Sequence, residues 1–553
     1  PEAAETWYDG VDQDCDGASD FDQDIDGYDS DAFGGDDCDD SSAGANPGAS
    51  ETWYDGVDQN CDGASDYDAD GDGYDGDAYG GSDCDDSDAG FNPGVVEAWD
   101  YEDTDCDGQG DVENLGDVAV RFSGEGAGDA AGRGLATGDV DGDGFDDIVV
   151  SSLYNDDGGT NAGAIHLVLG SASPTSGSLS SHIQFTGDTP EEPGHSVAIG
   201  DVDADGYSDV LMGAIYNSDA GSIAGAAYLL LGSAAPTSVP LSSAIQLTGV
   251  TAGDYAGYDV ASAGDVDADG YGDLLVSAYN YDGGGTDAGA VFLSLGSSTP
   301  SSASLSGMVR FTGEAAGDQA GDSTNGAGDV DGDGYDDVLV GAWENDDNGT
   351  SAGAVYLLLG GPSPSSRGLA AADAQYVGEA AGDRAGVSCA GGIDFDADGY
   401  GDVVVGAYMN DDGGSGAGAA YVILGSASPS GRSLSTADAQ FTGESAGDEA
   451  GVSVAGAGDV NADAHDDVVL GAFHHSDAGL YAGAAYVVLG SASPVSLGLS
   501  DAEAQVTGET AGGLAGLSVA GGGDVNDDGY DEVLVSAPYT SNGDAYLILG
   551  TGR

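Results

Sequence analysis

Asp329-Val-Asp-Gly-Asp-Gly-Tyr-Asp-Asp337, followed at once by Val338-Leu-Val-Gly-Ala342, decides how the rest of the chain is read. Its first nine residues put carboxylates at positions 1, 3, 5 and 9. The Gly at position 6 permits the left-handed turn that lets them converge, with the position 7 carbonyl, on one centre. The five residues that follow form a short apolar run, as a buried strand does. This loop-and-strand unit recurs about every 64 residues. Five copies fit fully: Asp139/Asp141/Asp143/Asp147, Asp201/Asp203/Asp205/Asp209, Asp265/Asp267/Asp269/Asp273, Asp329/Asp331/Asp333/Asp337 and Asp394/Asp396/Asp398/Asp402. The sixth, Asp459/Asn461/Asp463/Asp467, has Ala464-His465 where the others have Gly and an aromatic residue. The seventh, Asp524/Asn526/Asp528/Glu532, keeps its Gly but lengthens the last side chain. The sixth is expected to be the weakest site.

Two further signatures repeat in fixed order. One is an alternating segment such as Ala439-Gln-Phe-Thr-Gly-Glu444, whose Gln or Arg is matched at Arg121, Gln184, Gln246, Arg310, Gln375 and Gln505. The other is a run such as Ala354-Val-Tyr-Leu-Leu-Leu-Gly360. With the segment leading into each Asp loop, every unit holds four short strands. Seven such units predict an all-β chain folded as a seven-bladed β-propeller. No unit carries a 3.6-residue apolar period long enough for a helix, which excludes a helical solenoid. The last unit ends after residues 545–550 without its fourth strand. Residues 118–123 are expected to supply it and close the ring.

Across 553 residues, 102 acidic side chains face seven arginines and no lysine, a formal net charge of -95. Nothing in such a chain could neutralise phosphates, so nucleic acid and anionic membrane are excluded as partners. No run of 18 apolar residues exists, so no membrane insertion is expected. Two carboxylates about 4 Å apart repel by roughly 4 kcal/mol at an effective dielectric near 20. Ordered clusters of them call for cations, and oxygen-only donors favour calcium. The chain opens at Pro1 inside a repeat and reads as a processed product or a fragment.

A second repeat system occupies residues 1–114, ahead of a propeller at 115–553. Glu5-Thr-Trp-Tyr-Asp-Gly-Val-Asp recurs at Glu51, a period of 46, and a shortened copy begins at Glu97. Rich in Gly and Asp and poor in aliphatics, this arm cannot bury a core of its own size and is expected to be held by metal and disulfides. The nine-residue pattern returns in Asp12/Asp14/Asp16/Asp20, Asp58/Asn60/Asp62/Asp66 and Asp103/Asp105/Asp107/Asp111. Second candidates lie at Asp22/Asp24/Asp26 and Asp68/Asp70/Asp72. Cysteine connectivity is left open between two schemes. Cys38–Cys61 with Cys84–Cys106 brackets each Asn-Pro-Gly turn and leaves Cys15 over; Cys15–Cys38 with Cys61–Cys84 leaves Cys106. The first is preferred, since Cys15 could pair upstream or with another chain. Cys389 replaces a blade-strand position and reads as a buried free thiol.

The loops and strands of residues 118–550 resemble FG-GAP repeats, the type that builds the integrin α-subunit propeller. That resemblance implies a calcium loop between the first and second strands of each blade, on the face away from the usual ligand surface. The namesake Phe-Gly is altered to Ala-Gly at Ala131-Gly132, Ala256-Gly257, Ala320-Gly321, Ala385-Gly386, Ala450-Gly451 and Ala515-Gly516. The arm, through Asp83-Cys-Asp-Asp, Asn92-Pro-Gly and Asp105-Cys-Asp-Gly, is similar to MopE-type metal-binding repeats. Its aspartate strings are similar to thrombospondin type 3 repeats. No His precedes His166, so calcium fits the arm better than copper.

No Ser-His-Asp or Cys-His arrangement stands out, and His474-His475 with His465 lack a third fixed ligand, so no catalytic residue is assigned. These features together predict an extracellular, calcium-stabilised structural or adhesive protein that assembles into a surface or matrix structure, in the extreme a filament. Its partners would be further copies of itself, another surface protein or a glycan. The alternative is a lectin-like propeller using loops at residues 279–286 and 344–350; a polysaccharide-active enzyme is less favoured.

Overall fold

Each apolar run that follows an Asp loop becomes the second strand of a four-stranded antiparallel meander, and seven such meanders account for the chain from Asp111 onward. The computed structural model describes residues 4–13, 15–95, 103–104, 106, 111–187 and 191–551. Described residues up to Cys106 form one compact unit and those from Asp111 another. In chain order the first strands are β1 (Asp111–Asn114), β2 (Val120–Ser123), β3 (Ala131–Gly138), β4 (Asp147–Ser152), β5 (Ala164–Val168), β6 (Gly177–Ser178) and β7 (Ile183–Thr186). Strands β3, β4, β5 and β7 pair in that order as the first blade. Strand β4 is buried at every residue. A strand covered on both faces needs a continuous apolar run, which is why Ile148-Val-Val lacks alternation.

Apolar side chains of adjacent blades interlock in seven wedges. In one, Leu339, Val355 and Leu357 meet Val403, Val405 and Tyr421. Each fully buried side chain of this size contributes about 1.5–3 kcal/mol. The Ala-Gly dipeptide is explained by close approach of backbones. At Gly257, φ is +81° and an added Cβ would lie 2.2 Å from the Ala226 carbonyl oxygen.

Each sheet also carries a fifth strand that the sequence did not reveal. The Ser/Pro-rich connector between a blade's third and fourth strands lays two residues alongside the outer strand of the preceding blade, as Val239–Pro240, between Ala226–Leu230 and Ile245–Thr248, pairs in parallel with β7. A single 3-10 turn follows, and its leucine (Leu179, Leu241, Leu305, Leu369, Leu434, Leu499) is buried.

Closure follows the sequence expectation with one refinement. Strand β2 pairs antiparallel with Asp544–Ile548, Val120 opposite Leu547 and Phe122 opposite Ala545. The strand starts at Val120, however; Leu115–Val118 is a helical turn whose N-cap, Asn114, accepts from Gly116 N at 3.0 Å. Strand β1 runs parallel to Ala504–Thr507, the place in the sixth blade that connector strands fill elsewhere. Asp111–Asn114 therefore sits in the propeller sheet, ahead of the expected boundary at 115.

The amino-terminal unit is built the other way round. Among its described residues Ala45 is the one buried apolar side chain, against buried Asp20, Asp22, Asp37, Asp40, Asp66, Asp68 and Asp83. Its regular structure among the described residues is the 3-10 turns Asp31–Phe33 and Asp77–Tyr79 with the isolated bridges Ser30–Asp37 and Gly76–Asp83. Disulfides join Cys38 to Cys61 and Cys84 to Cys106, the preferred scheme. Cys15 is an exposed free thiol and Cys389 a buried one. The two copies repeat in detail: Tyr8 stacks on Phe33 at 4.8 Å and Tyr54 on Tyr79 at 4.6 Å.

Candidate metal centres

In each propeller loop the position 1 carboxylate organises the turn by accepting backbone amides. Asp329 Oδ1 accepts from Asp333 N at 2.9 Å and Oδ2 from Gly334 N at 2.8 Å. The same bonds form in the sixth loop, where Asp459 Oδ2 accepts from Ala464 N at 2.9 Å. There the position 6 residue takes φ +69° without being glycine. His465 Nδ1 also lies 3.2 Å from Asp463 Oδ1, which sets a ring nitrogen against a candidate ligand oxygen.

Position 5 differs from the other three positions in exposure. Asp143, Asp205, Asp269, Asp333, Asp398, Asp463 and Asp528 are all exposed, whereas position 3 is half-buried or buried and position 9 fully buried. The cause is the turn itself, which carries positions 5 and 6 out from the blade. A Cβ added at Gly144 would meet nothing within 4 Å. Each position 5 carboxylate is nonetheless fixed in direction, because its Oδ1 accepts from the position 7 amide. Phe145 N donates to Asp143 at 3.1 Å, Tyr207 N to Asp205 at 3.0 Å and Tyr271 N to Asp269 at 3.1 Å. Tyr335 N donates to Asp333 at 3.1 Å, Tyr400 N to Asp398 at 3.0 Å, His465 N to Asp463 at 2.9 Å and Tyr530 N to Asp528 at 3.1 Å. Position 5 therefore lies, fixed in direction, on the solvent side of its loop.

Position 9 has a second duty that spacing alone did not show. Asp337, with no exposed surface, takes Val330 N on Oδ2 at 2.9 Å and Gly360 N on Oδ1 at 2.8 Å. Five other aspartates repeat this clamp: Asp147, Asp209, Asp273, Asp402 and Asp467. In the seventh loop Glu532 holds Val525 N, and the Asn526 side chain stands in for the second amide at 3.0 Å.

Carboxylates so arranged repel. Burial, then like charge from positions 5 and 1, raises the pKa of Asp141, Asp203, Asp267, Asp331 and Asp396 at position 3. Burial lifts Asp147, Asp273, Asp337 and Asp402 to about 7, Asp209 to about 6, and Asp467 and Glu532 to about 8. Asp203, Asp267 and Asp396 each keep a buried Oδ1 with no hydrogen-bond partner, as does Asn526. Orphaned oxygens at position 3, inside a ring of like charge, fit a hard cation.

The arm repeats this geometry. Asp12 Oδ2 accepts from Gly17 N at 3.2 Å, and Asp58 Oδ2 from Gly63 N at 3.0 Å. Asp16 and Asp62 accept from the amides two residues on. Asp20, Asp58 and Asp66 each leave a buried Oδ1 without a partner. Asp22, Asp24 and Asp26 bring oxygens within 4.8 Å of one another, and so do Asp68, Asp70 and Asp72. Asp14, Asp105 and Asp107, and the side chain of Asp111, lie outside the described residues; Asp103 is described.

Consecutive propeller loops are joined to one another. The position 8 amide of each donates to the position 1 carbonyl of the loop before: Ser208 to Asp139 (2.8 Å), Gly272 to Asp201 (3.0 Å), Asp336 to Asp265 (3.3 Å), Gly401 to Asp329 (2.9 Å), Asp466 to Asp394 (3.1 Å) and Asp531 to Asp459 (3.2 Å). A bond from Asp146 to Asp524 makes the circuit complete.

Two other polar clusters are explained by the fold. His475 replaces the asparagine that in other blades bonds a buried tyrosine and a glutamate, as Asn345 does Tyr356 (3.1 Å) and Glu314 (3.3 Å). Its ring nitrogens lie near Asp448, Tyr486 and Gln505, so it is a satisfied core side chain. An axial cavity of about 740 Å³ is lined at one strand position by Arg133, His195, Tyr258 and Asp322, then by Val387, Val452 and Leu517. Burial, with the nearby Asp259 charge, lifts Asp322 to about 7.

FG-GAP repeats match at residues 131–168, 256–294, 322–358, 385–423 and 515–548. A MopE-type family described as "Putative metal-binding motif" matches at 1–20, 37–67 and 83–111. The chain is similar to integrin alpha pat-2 of Caenorhabditis elegans, 31% identical over 39% of this chain and 18% of that one. It is 31% identical to integrin alpha-PS2 of Drosophila melanogaster over 39% of this chain and 15% of the relative. With human integrin alpha-IIb it shares 36% identity over 30% and 15%. The matched stretches thus span under a fifth of these relatives. The chain carries FG-GAP repeats of integrin-α type, preceded by MopE-type motifs.

Proposed function

We propose that this FG-GAP propeller with its MopE-type arm is an extracellular, non-enzymatic adhesive or structural protein whose shape is fixed by calcium. The observation that carries the reading is the set of buried, unpartnered oxygens at Asp203, Asp267, Asp396, Asp20, Asp58 and Asp66, each within a cluster of like charge. Calcium supplies what those oxygens lack and cancels the repulsion around them. At 100 times its dissociation constant one bound ion adds about 2.7 kcal/mol. The disulfides support an oxidising, extracellular setting, and among the described residues no helix is long and apolar enough to cross a membrane. Likeness to integrin α-subunits supports protein binding as its role.

Assembly into a surface or matrix array, by self-association or with another surface protein or glycan, is the use such a chain suits best; the free, exposed Cys15 is one available link. Sedimentation and thermal melting in calcium and then in chelator test both parts. Calcium should raise the melting temperature steeply and enlarge the particle. A compact monomer in both conditions would remove the assembly, and identical melting curves would remove the calcium.

A glycan-binding reading has its own support. Arg384 lies over the Trp343 ring at 4.5 Å and over Tyr408 at 5.8 Å, an aromatic group away from the Asp loops. Glycan-array binding that disappears in Trp343→Ala would favour it.

A further inference from the structure

The arm holds carboxylates that its spacing patterns did not single out. Asp37, in the segment Asp36-Asp-Cys-Asp-Asp40, has no exposed surface, and Asp83 is its equivalent in the second copy. Polar side chains are buried that deeply only when something satisfies them. Yet Asp37 Oδ2 has no hydrogen-bond partner, and neither has Asp24 Oδ2. Asp24, Asp37 and Asp40 bring oxygens within 4.8 Å of one another, while Asp24 also belongs to the cluster with Asp22 and Asp26.

The second copy repeats the arrangement. Asp70, Asp83 and Asp86 each keep a buried, unpartnered Oδ2. Gln23 N donates to Asp40 Oδ1 at 2.8 Å, and Ala69 N to Asp86 Oδ1 at 2.8 Å. Asn46 Nδ2 holds Asp26 at 2.6 Å, and Asn92 Nδ2 holds Asp72. The neighbouring cysteines are no alternative ligands, because Cys38–Cys61 and Cys84–Cys106 are disulfides.

We propose that each copy binds a pair of calcium ions bridged by one carboxylate: Asp24 between Asp22/Asp26 and Asp37/Asp40, and Asp70 between Asp68/Asp72 and Asp83/Asp86. One divalent ion would leave most of the charge of five converging carboxylates uncancelled, whereas two nearly balance it. Oxygen-only donors select a hard cation. The disulfide then has a defined purpose: it fixes the residue beside Asp37, or Asp83, so that this carboxylate reaches back onto the preceding turn. The inference rests on the reading of the arm as cation-binding.

Manganese(II) in the full chain tests it, since ions sharing a carboxylate lie about 3.5–4 Å apart and couple magnetically. Electron paramagnetic resonance at saturating manganese should show spin-coupled pairs. Asp37→Asn combined with Asp83→Asn should abolish the coupled signal, leave the signal of isolated ions and lower calcium stoichiometry by two per chain. The disulfides of the variant would be checked by thiol titration. Only isolated ions in the wild-type chain, or coupling that survives in the double variant, would overturn the proposal while leaving the arm's cation binding intact. Absence of any manganese or calcium in the arm would instead remove the reading beneath it.

Discussion

Asp146 and Asp524 exchange two hydrogen bonds, Asp146 N to the Asp524 carbonyl and Asp524 N to Asp146 Oδ2, both at 3.1 Å. One belongs to the first propeller repeat and the other to the last, so the ring is fastened at its loops as well as by β2.

Phe122 is the buried anchor of that seam, 2% exposed and opposite Ala545. Phe122→Ala is expected to cost about 3–5 kcal/mol. Hydrogen exchange should accelerate first in the strands at Val120–Ser123 and Asp544–Ile548. Uniform loss of protection over all blades would contradict a seam that opens on its own.

Positions 9 and 3 of one loop should respond oppositely. Asp337→Asn sets an amide against one of two backbone donors and should cost about 1–3 kcal/mol even in chelator. Asp331→Asn removes a charge that Asp333 and Asp329 repel. It should stabilise the chelated protein and destabilise the calcium-loaded one. Denaturant titrations of both variants, with and without calcium, separate clamp from ligand. Equal effects would show that position 9 has no clamping role.

In the sixth loop, Ala464 at φ +69° carries a cost that glycine avoids, about 1–2 kcal/mol for a left-handed L-residue. Ala464→Gly should therefore raise both stability and calcium affinity. Calorimetric titration reads the affinity; no change would place the weakness of this loop in Asn461 or His465 instead.

The axial cavity predicts a pH dependence. Asp322 is lifted to about 7, by burial first and by Asp259 second. A carboxyl whose folded pKa lies above its unfolded value near 4 stabilises the fold at low pH. That contribution is lost as pH rises from about 4 through 7. Asp322→Val, which copies Val387 and Val452, should remove at most about 3 kcal/mol of the loss between pH 5 and pH 8. Melting curves in chelator at both pH values check this. A pH slope identical to wild type would mean the carboxyl is fully solvated.

Much of this architecture is written in local spacing. The Asp329–Asp337 pattern and the strand after it are contiguous, so loops, blades and the partner of residues 118–123 could be read from repeats alone. What escaped reading depends on contacts between distant segments. Val239–Pro240 is too short to carry a strand period and pairs only because the connector passes over β7. Spacing could not rank the carboxylates of one loop either: Asp143 and Asp147 look alike in sequence, yet the first lies at the solvent edge and the second under the blade. Asp37 looks like any solvated aspartate, and its burial follows from chain folding around Cys38–Cys61. Arg133, His195, Tyr258 and Asp322 occupy one column of the repeat, but curvature is what turns that column into a cavity wall.

Strands β1 and β2 are consecutive in the chain yet lie in different blades, the sixth and the seventh. Tension applied along the chain from its amino-terminal side would meet β1 first, and where it acts along that strand it would load the pairing with Ala504–Thr507. In that direction the bonds of a strand pair are strained together rather than peeled singly. Only after β1 slips would the load reach β2 and the seam. The entry to the propeller thus has two attachments in series, one in each of two neighbouring blades, and a load carried along the chain would meet them in turn.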